Sequence, residues 1–532
     1  MAQYSLGRSD TTEDVTGTFG RAEAGPDEGL ALVVAWCRDE PERVGEVVVV
    51  APGDGRAFVV GRGDEPPMDF EHVRAGLVRQ RPGRNAVTAP LGARRLSREQ
   101  LHVRRLDAER LAVENHGKRA MWVRGAETSH AVVGVGEAVV VEGQLVLYCA
   151  RRPAALAGLL HLDDAALHAF GEPDEHGIVG ESPVVWALRD AIACVAQGEG
   201  HVLVCGPTGA GKELAARAVH AASARAAGPF VARDVAAIPH EVLAAELFGE
   251  EGAEGEAARG LVGEADGGTL LLDDVGPVAE QVLVTLGRFM DAGAYYRVGE
   301  ARARHADVRV VATLDADPAV LPVGFLARFR HVLRVPGLAE RVEDVPMLAA
   351  HLLRVGLPEH ADVAARFLDE AGRARVAPEL VERLLAGPFD GGVRALDARL
   401  WQAVVASPGS WVTAPVLRAV EAPAGAREEA PRAAAEAAAR EAEEVGIPAG
   451  TPKSVVEGLP TLTRAERIVL QHLALNQTSR QIGRRLFVSV RTVQNHRARI
   501  CDKLGLRGNN ALLGVALELA RYLGPPEEGM DR

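Results

Sequence analysis

The chain has 532 residues, 47% hydrophobic and 25% charged, a soluble globular composition too long for one hydrophobic core; about three or four folded units are expected. No run of about 18 apolar residues occurs and the opening MAQYSLGRSDTTEDVTG is polar and acidic, which argues against a membrane span or an export leader. The five cysteines (Cys37, Cys149, Cys194, Cys205, Cys501) are scattered, with no C-x-x-C spacing, which excludes a zinc ribbon or disulfide framework and fits a reducing cytoplasm.

The net charge of −13 argues against nucleic acid as a partner only on average. Residues 461–510 carry ten Lys or Arg against two acids, Glu466 and Asp502, a local +8 in a chain that is otherwise −21. That asymmetry points to a nucleic-acid surface on an acidic protein.

In chain order, residues 1–28 are expected to form a disordered tail. Residues 29–152, rich in short valine runs (VVVV at 47–50, FVV at 58–60, AVVVEGQLVLY at 138–148) punctuated by Gly, Pro and Asp, read as a small all-β sandwich. A linker at 153–175 leads to an α/β unit at 176–338, where HVLVC, GTLLLDD and DVRVVAT alternate with helical stretches as in a parallel sheet. Residues 339–422 read as helical. The Ala/Glu-rich segment 423–457 is a partly helical linker, and 458–524 a compact helical unit. No internal repeat is present.

The stretch VCGPTGAGKE is a strand entering Gly-x-x-x-x-Gly-Lys and then a helix, the context in which that spacing grips phosphate. Gly206, Gly209 and Gly211, with Thr208 between them, let backbone N–H groups approach phosphate oxygens, while Lys212 supplies a point charge and the helix N-terminus adds positive potential. Glu213 stands where a hydroxyl usually meets magnesium. Downstream, GGTLLLDD ends an apolar strand in Asp273 and Asp274, the position from which one acid holds magnesium and its neighbour orients the attacking water.

The run IVGESPVVWALRDAI, GPTGAGKE, AAELFGE, ADGGTLLLDDV, DVRVVAT, PGLAERVEDVP and FDGGVRAL resembles the AAA+ domain of sigma-54-dependent transcription activators over about residues 176–402. In that family Glu is common after the lysine. The resemblance implies ATP and magnesium as ligands, with Lys212 on the β/γ phosphates, Asp273 on the metal, Arg328 as a finger towards a neighbouring subunit and Arg394 as sensor of the γ-phosphate. It also implies a homo-oligomer, with RNA polymerase among the partners. Three departures bear on turnover, which stays open. Asp274 replaces a longer Glu, Asp315 replaces a polar Asn or His, and only one of two usual arginines can be placed. Between ELFG and ADGG, the segment EEGAEGEAARGLVGE (250–264) is shorter than the family's and lacks its Gly-Ala-Phe-Thr-Gly-Ala tip, so nothing recognisable remains to touch sigma-54.

Farther on, Thr463 and Glu466 of LTRAE form a capping box, with Ile468, Val469, Leu470 and Leu473 as the buried stripe of the helix it starts. A second helix spans about 479–486, and Ser489 caps a third in which Val493, Ile500 and Leu504 share one face. Helix, short turn and basic polar helix form the plan of a helix-turn-helix. Segment 460–517 (LTRAE, RQIGRRLFVS, SVRTVQNH, DKLGL) closely resembles the LuxR-type DNA-binding domain. Arg491, Thr492, Gln494 and Asn495 are the candidates for base or phosphate contact on double-stranded DNA, with Arg484, Arg485, Arg497 and Arg499 for the phosphate backbone.

FVVGRGD, LSREQLHVRR and ENHGKRAMWVRG occur in the order and spacing of a forkhead-associated (FHA) domain, a β-sandwich that reads phosphothreonine. The resemblance places Arg62, Ser97 and Arg98 near the phosphate, a dianion well held by Arg and hydroxyl donors. Gln100 stands where His is frequent, and Ala120–Met121 where Asn-Gly is typical.

Together these readings give a multidomain fold: an FHA-like sandwich, an AAA+ P-loop domain with a helical lid and a LuxR-type helix-turn-helix. The function expected is a bacterial cytoplasmic transcription regulator that binds DNA, ATP and a phosphothreonine protein. Two alternatives stand beside it: an ATP-hydrolysing sigma-54 activator and a nucleotide-free signalling scaffold.

Overall fold

The computed structural model describes residues 28–50, 57–63, 72–162, 168–251 and 259–414, and beyond these 455, 459, 462, 464–474, 477, 482, 490–504, 506, 512 and 515. The chain divides into two compact units, residues 1–416 and 417–532. The expected N-terminal tail, save Glu28 which opens β1, and almost all of the Ala/Glu-rich linker lie outside the described residues.

The first unit begins with two sheets. One runs in the order β10 (Ala126–Glu127), β9 (Met121–Val123), β12 (Ala138–Val141), β13 (Leu145–Pro153), β1 (Glu28–Cys37), β2 (Val47–Val50), β5 (Val78–Arg81), β6 (Arg84–Val87). The other runs β11 (His130–Gly134), β8 (Arg110–Asn115), β7 (Leu101–Arg105), β3 (Ala57–Val60), β4 (His72–Arg74). Leu32, Val34 and Val48 of the first meet Leu101, Val103, Leu111 and Val113 of the second in one apolar core, because alternate residues of each strand face inward.

Next comes a five-stranded parallel sheet, in the order β15 (Phe230–Asp234), β16 (Thr269–Asp273), β19 (Arg309–Leu314), β14 (His201–Cys205), β20 (Phe329–Arg334). A two-stranded ribbon, β17 (Ala294–Tyr295) and β18 (Arg304–His305), lies apart from it. On one face Val202, Val204 and Val311 pack against α1 (Pro183–Gln197) and α2 (Lys212–Ala221). On the other, Leu270, Leu272 and Val310 pack against α3 (His240–Phe248), α4 (Gly260–Glu264), α5 (Glu280–Ala292) and α6 (Val323–Leu326). Cover on both faces is why these strands read as continuous apolar runs.

The lid follows: α7 (Val345–Gly356), α8 (Ala361–Phe367), α9 (Pro378–Leu385) and α10 (Gly392–Ala406). It shares a core with the sandwich. Ala31, Val33 and Ala35 of β1 and Tyr148 of β13 join Leu348, Leu380, Leu384, Leu396 and Leu400 of the lid in one cluster. Trp36 donates its indole N–H to the Val376 carbonyl at 2.8 Å, and its ring meets Trp411 edge-on at 6.4 Å between centroids. Beside them the buried Arg152 guanidinium reaches Glu343 (3.0 Å), Gln80 (3.3 Å) and the Glu181 carbonyl (3.2 Å). The second face of β1 was therefore never destined for solvent. Its run GLALVVAWC lacks the polar alternation of a half-exposed strand.

In the second unit α11 (Arg464–Ala474) and α12 (Val490–Leu504) pack through Ile468, Val469, Leu470, Leu473, Val493, Ile500 and Leu504, all buried. Glu466 is buried and accepts from Lys503 Nζ at 2.7 Å, which pins one helix to the other. Thr463 and Ser489, expected as caps, lie outside the described residues, as does all but Ile482 of the expected 479–486 helix. Among the described residues no helix is long and apolar enough to cross a membrane.

Candidate functional site

The phosphate loop joins β14 to α2, and its glycines are required by close approach. A Cβ on Gly206 would lie 2.4 Å from the Val335 carbonyl oxygen, and one on Gly209 would lie 2.3 Å from that of Gly391 at the head of α10. Val393 N–H donates to the Gly209 carbonyl at 2.9 Å. Arg341, buried and not singled out from sequence, donates to the Ala210 carbonyl at 3.2 Å. The loop is thus held on one side by the sheet and on the other by the lid. Gly209→Ala, at φ +71, is expected to lower stability by about 2 kcal/mol, through left-handed strain plus a clash with the lid backbone. Denaturant unfolding of the variant checks it.

Within this frame the structure gathers Thr208, Lys212, Asp273, Asp274 and Asp315. Thr313, the hub of the cluster, was missed in the sequence because nothing in DVRVVAT distinguishes it. Its hydroxyl donates to Asp273 Oδ1 at 2.5 Å and accepts from Asp274 N–H at 2.9 Å. Asp274 sits at φ +53, a left-handed conformation uncommon outside Gly, Asn and Asp. Burial, and then the neighbouring charge of Asp315, push its carboxyl above the ordinary range. Lys212 Nζ donates to the carbonyls of Gly206 and Pro207, each at 3.1 Å, and pairs with the Asp315 carboxylate. Thr208 Oγ1 donates to the other Asp315 oxygen at 2.5 Å. Burial alone would raise the Asp315 carboxyl, but the bonds from Lys212 and Thr208 overcome it and hold it below the usual range.

Two of the expected residues stand apart from the cluster. Glu213 faces solvent, paired with Arg217 one turn on at 2.8 Å. Arg328 is tied within its own chain to Asp291 at 2.7 Å and to the Gly287 carbonyl at 2.8 Å. Arg394, at the start of α10, is close enough to act electrostatically on Asp315.

Residues 178–324 match the Sigma-54 interaction domain. Residues 460–516 match the family of bacterial regulatory proteins of luxR type. Transcriptional regulatory protein ZraR of Escherichia coli O157:H7 is 35% identical over 270 residues, 48% of this chain and 58% of that protein. DNA-binding transcriptional regulator NtrC of Bradyrhizobium sp. (strain RP501 Parasponia) is 35% identical over 265 residues, 48% of this chain and 53% of that protein. The chain therefore spans a little over half the length of these curated relatives. A solved structure of NtrX from Brucella abortus in complex with ATP is 28% identical, with a TM-score of 0.41, over 56% of this chain and 68% of that one. The match to the Sigma-54 interaction domain thus falls on α1 to α5, the loop and four of the five strands of the parallel sheet, β14, β15, β16 and β19, and the luxR-type match takes in α11 and α12.

On α12 Gln494 and Arg499 are exposed, while Val493 and Ile500 are buried. Arg491, Thr492 and Asn495 lie on the same helix, their side chains outside the described residues, and Arg484 and Arg485 lie outside them altogether.

In the sandwich, three loops converge. Gly61 must be glycine, since a Cβ there would lie 2.1 Å from the Arg98 carbonyl oxygen. Arg62 N–H donates to the Ser97 carbonyl at 3.1 Å, and its side-chain Nε is buried without a hydrogen-bond partner among the described residues. Ser97 Oγ accepts from Lys118 N–H at 3.1 Å, which leaves its own proton for another acceptor. Gln100 ties the loops together: its Oε1 accepts from Ser97 N–H at 3.1 Å and its Nε2 donates to Asn115 at 2.8 Å and to the Arg119 carbonyl at 3.2 Å. Arg98 and Lys118 are exposed. Met121 is fully buried in the core, so no side chain at that position reaches the loops. Asn115, missed from sequence, holds the Arg119 carbonyl at 2.7 Å instead.

Proposed function

We propose that this chain is a bacterial cytoplasmic transcription regulator in which a sigma-54 interaction domain binds ATP and a LuxR-type helix-turn-helix binds DNA. The observation that carries the reading is the pairing of a complete phosphate-loop frame with a +8 segment whose α12 exposes Gln494 and Arg499. Gln494, with Arg491, Thr492 and Asn495, would face the major groove; Arg484, Arg485, Arg497 and Arg499 would hold phosphates. Lys212 and the loop glycines would hold the triphosphate, with Arg394 on its γ end. The donor set at the end of β16 consists of hard carboxylates, which suits magnesium. Asp273 would hold the ion, whose charge offsets that of the phosphates, while Asp274 orients water.

ATP favours assembly of a homo-oligomer, Arg328 leaving Asp291 to meet a neighbour, and assembly raises DNA occupancy through avidity. The sandwich reads a phosphothreonine protein through Arg62, Ser97 and Arg98. RNA polymerase is the downstream partner, reached without the sigma-54 loop tip that segment 250–264 lacks.

The test is DNA retention on a promoter library by the full chain and by a chain ending at residue 457, each with and without ATP and magnesium. Specific binding by the full chain alone supports the reading; survival in the shortened chain overturns it. Phosphate release measured beside Lys212→Ala decides between this regulator and an ATP-driven activator. For the sandwich, Arg62→Ala is expected to lose binding to a phosphothreonine peptide library at least tenfold, since a half-buried guanidinium on a dianion is a charge-assisted bond worth about 1.5–3 kcal/mol. No binding by the unmutated protein would sink that part.

A further inference from the structure

An ammonium has three protons to donate. On Lys212 all three are taken: the carbonyls of Gly206 and Pro207, each at 3.1 Å, receive two, and the Asp315 carboxylate the third. Thr208, the loop's side-chain hydroxyl, is also spent on Asp315, at 2.5 Å. Lys212 is only 7% exposed, so water contributes little to this arrangement. The two carbonyls belong to the loop and cannot leave without unfolding it. Asp315, at the end of β19 and 35% exposed, is the one acceptor that can move aside.

We infer that Asp315 is a resident anion of the phosphate loop, a built-in competitor that nucleotide must displace from Lys212 and Thr208 and that weakens binding of a nucleoside triphosphate more than that of a diphosphate. The inference rests on the reading of the loop as a nucleotide site. The competitor is tethered, so it never dilutes away. The bias between nucleotides follows from the neighbouring charges. A displaced Asp315 has Arg394 as its next cation, the group otherwise left for the terminal phosphate. A triphosphate therefore meets Asp315 at both basic side chains, a diphosphate chiefly at one. An uncharged Asn or His at this position would donate to the terminal phosphate; a carboxylate repels it.

The experiment is titration of fluorescent ATP and ADP analogues, each with magnesium, into the full chain, Asp315→Asn and Asp315→Ala, with Lys212→Ala as the blank and a thermal melt of every variant. Asn keeps the size of Asp and still accepts from Thr208, and Ala serves if Asn disturbs the fold. Expected is a fall in the ATP dissociation constant of at least tenfold in both Asp315 variants, with a smaller fall for ADP. An unchanged or weaker ATP affinity in the variants, with binding by the unmutated protein intact, overturns the inference and leaves the nucleotide reading standing. Binding by the variants alone supports the inference and identifies Asp315 as the reason the native loop is shut. Binding by none of the proteins overturns the nucleotide reading, and the inference with it.

Discussion

Trp36→Ala is expected to destabilise the first unit by about 4 kcal/mol, within the range for truncating a buried tryptophan. The side chain is 8% exposed, sits among the lid's leucines and gives its indole proton to Val376. Truncation would open a cavity between sandwich and lid and leave the Val376 carbonyl unpaired, a further cost of about 1 kcal/mol or more. Because this ring is shared by two substructures, the unfolding transition should also split, the sandwich and the α/β core melting separately. Calorimetry detects both effects, with Val87→Ala as control, since that side chain is 76% exposed and its loss should cost no more than about 0.5 kcal/mol. A single transition lowered by less than about 1 kcal/mol would show that Trp36 does not anchor the seat.

Lys212→Ala is expected to cost about 2 kcal/mol at neutral pH, even with no nucleotide present. Removing one partner of a buried ion pair strands the other, here discounted because Asp315 is partly exposed. The pH dependence gives the sign. In the native protein Asp315 titrates below its unfolded value of about 3.9, so its stabilising contribution is complete above that pH and disappears only as pH falls through the lower folded value. Without Lys212, burial still raises the folded value while the Thr208 hydrogen bond and Arg394 still lower it, so the folded value moves up towards the unfolded one. The penalty is then present at pH 7 and is relieved only as pH falls below about 4. Urea unfolding at pH 7 and at about pH 3 should therefore show a smaller gap between variant and parent at the lower pH. A gap that does not narrow would mean that Asp315 is not stranded by the substitution.

What could be read from the sequence was whatever local pattern encodes. HVLVC, TLLLD and RVVATL announce buried parallel strands, and the heptad-like spacing of Val493, Ile500 and Leu504 announces the packed face of α12. The loop from Gly206 to Lys212 was equally plain, because its glycines and lysine stand at fixed offsets between a strand and a helix. Long-range partnerships were not. Trp36 and Val376 are separated by 340 positions, and no periodicity in either segment names the other. The hydroxyl of Thr313 looks like any β-branched residue in a strand until the fold sets it beside Asp273 and Asp274. Asp315 was legible as a misplaced charge, but its seat on Lys212 depends on the registry of β19 with β14, where Cys205 lies opposite Leu314. Arg341 lay within a recognised segment, yet its grip on the Ala210 carbonyl comes only with the turn that follows β20.

The contact of α10 with the phosphate loop has a mechanical consequence. Gly391 and Val393 touch the loop, and Leu396 and Leu400 farther along the same helix belong to the cluster that seats the sandwich. Loop, helix and sandwich are therefore one continuous packed path, along which strain at the loop would reach β1 through Leu396 and Leu400.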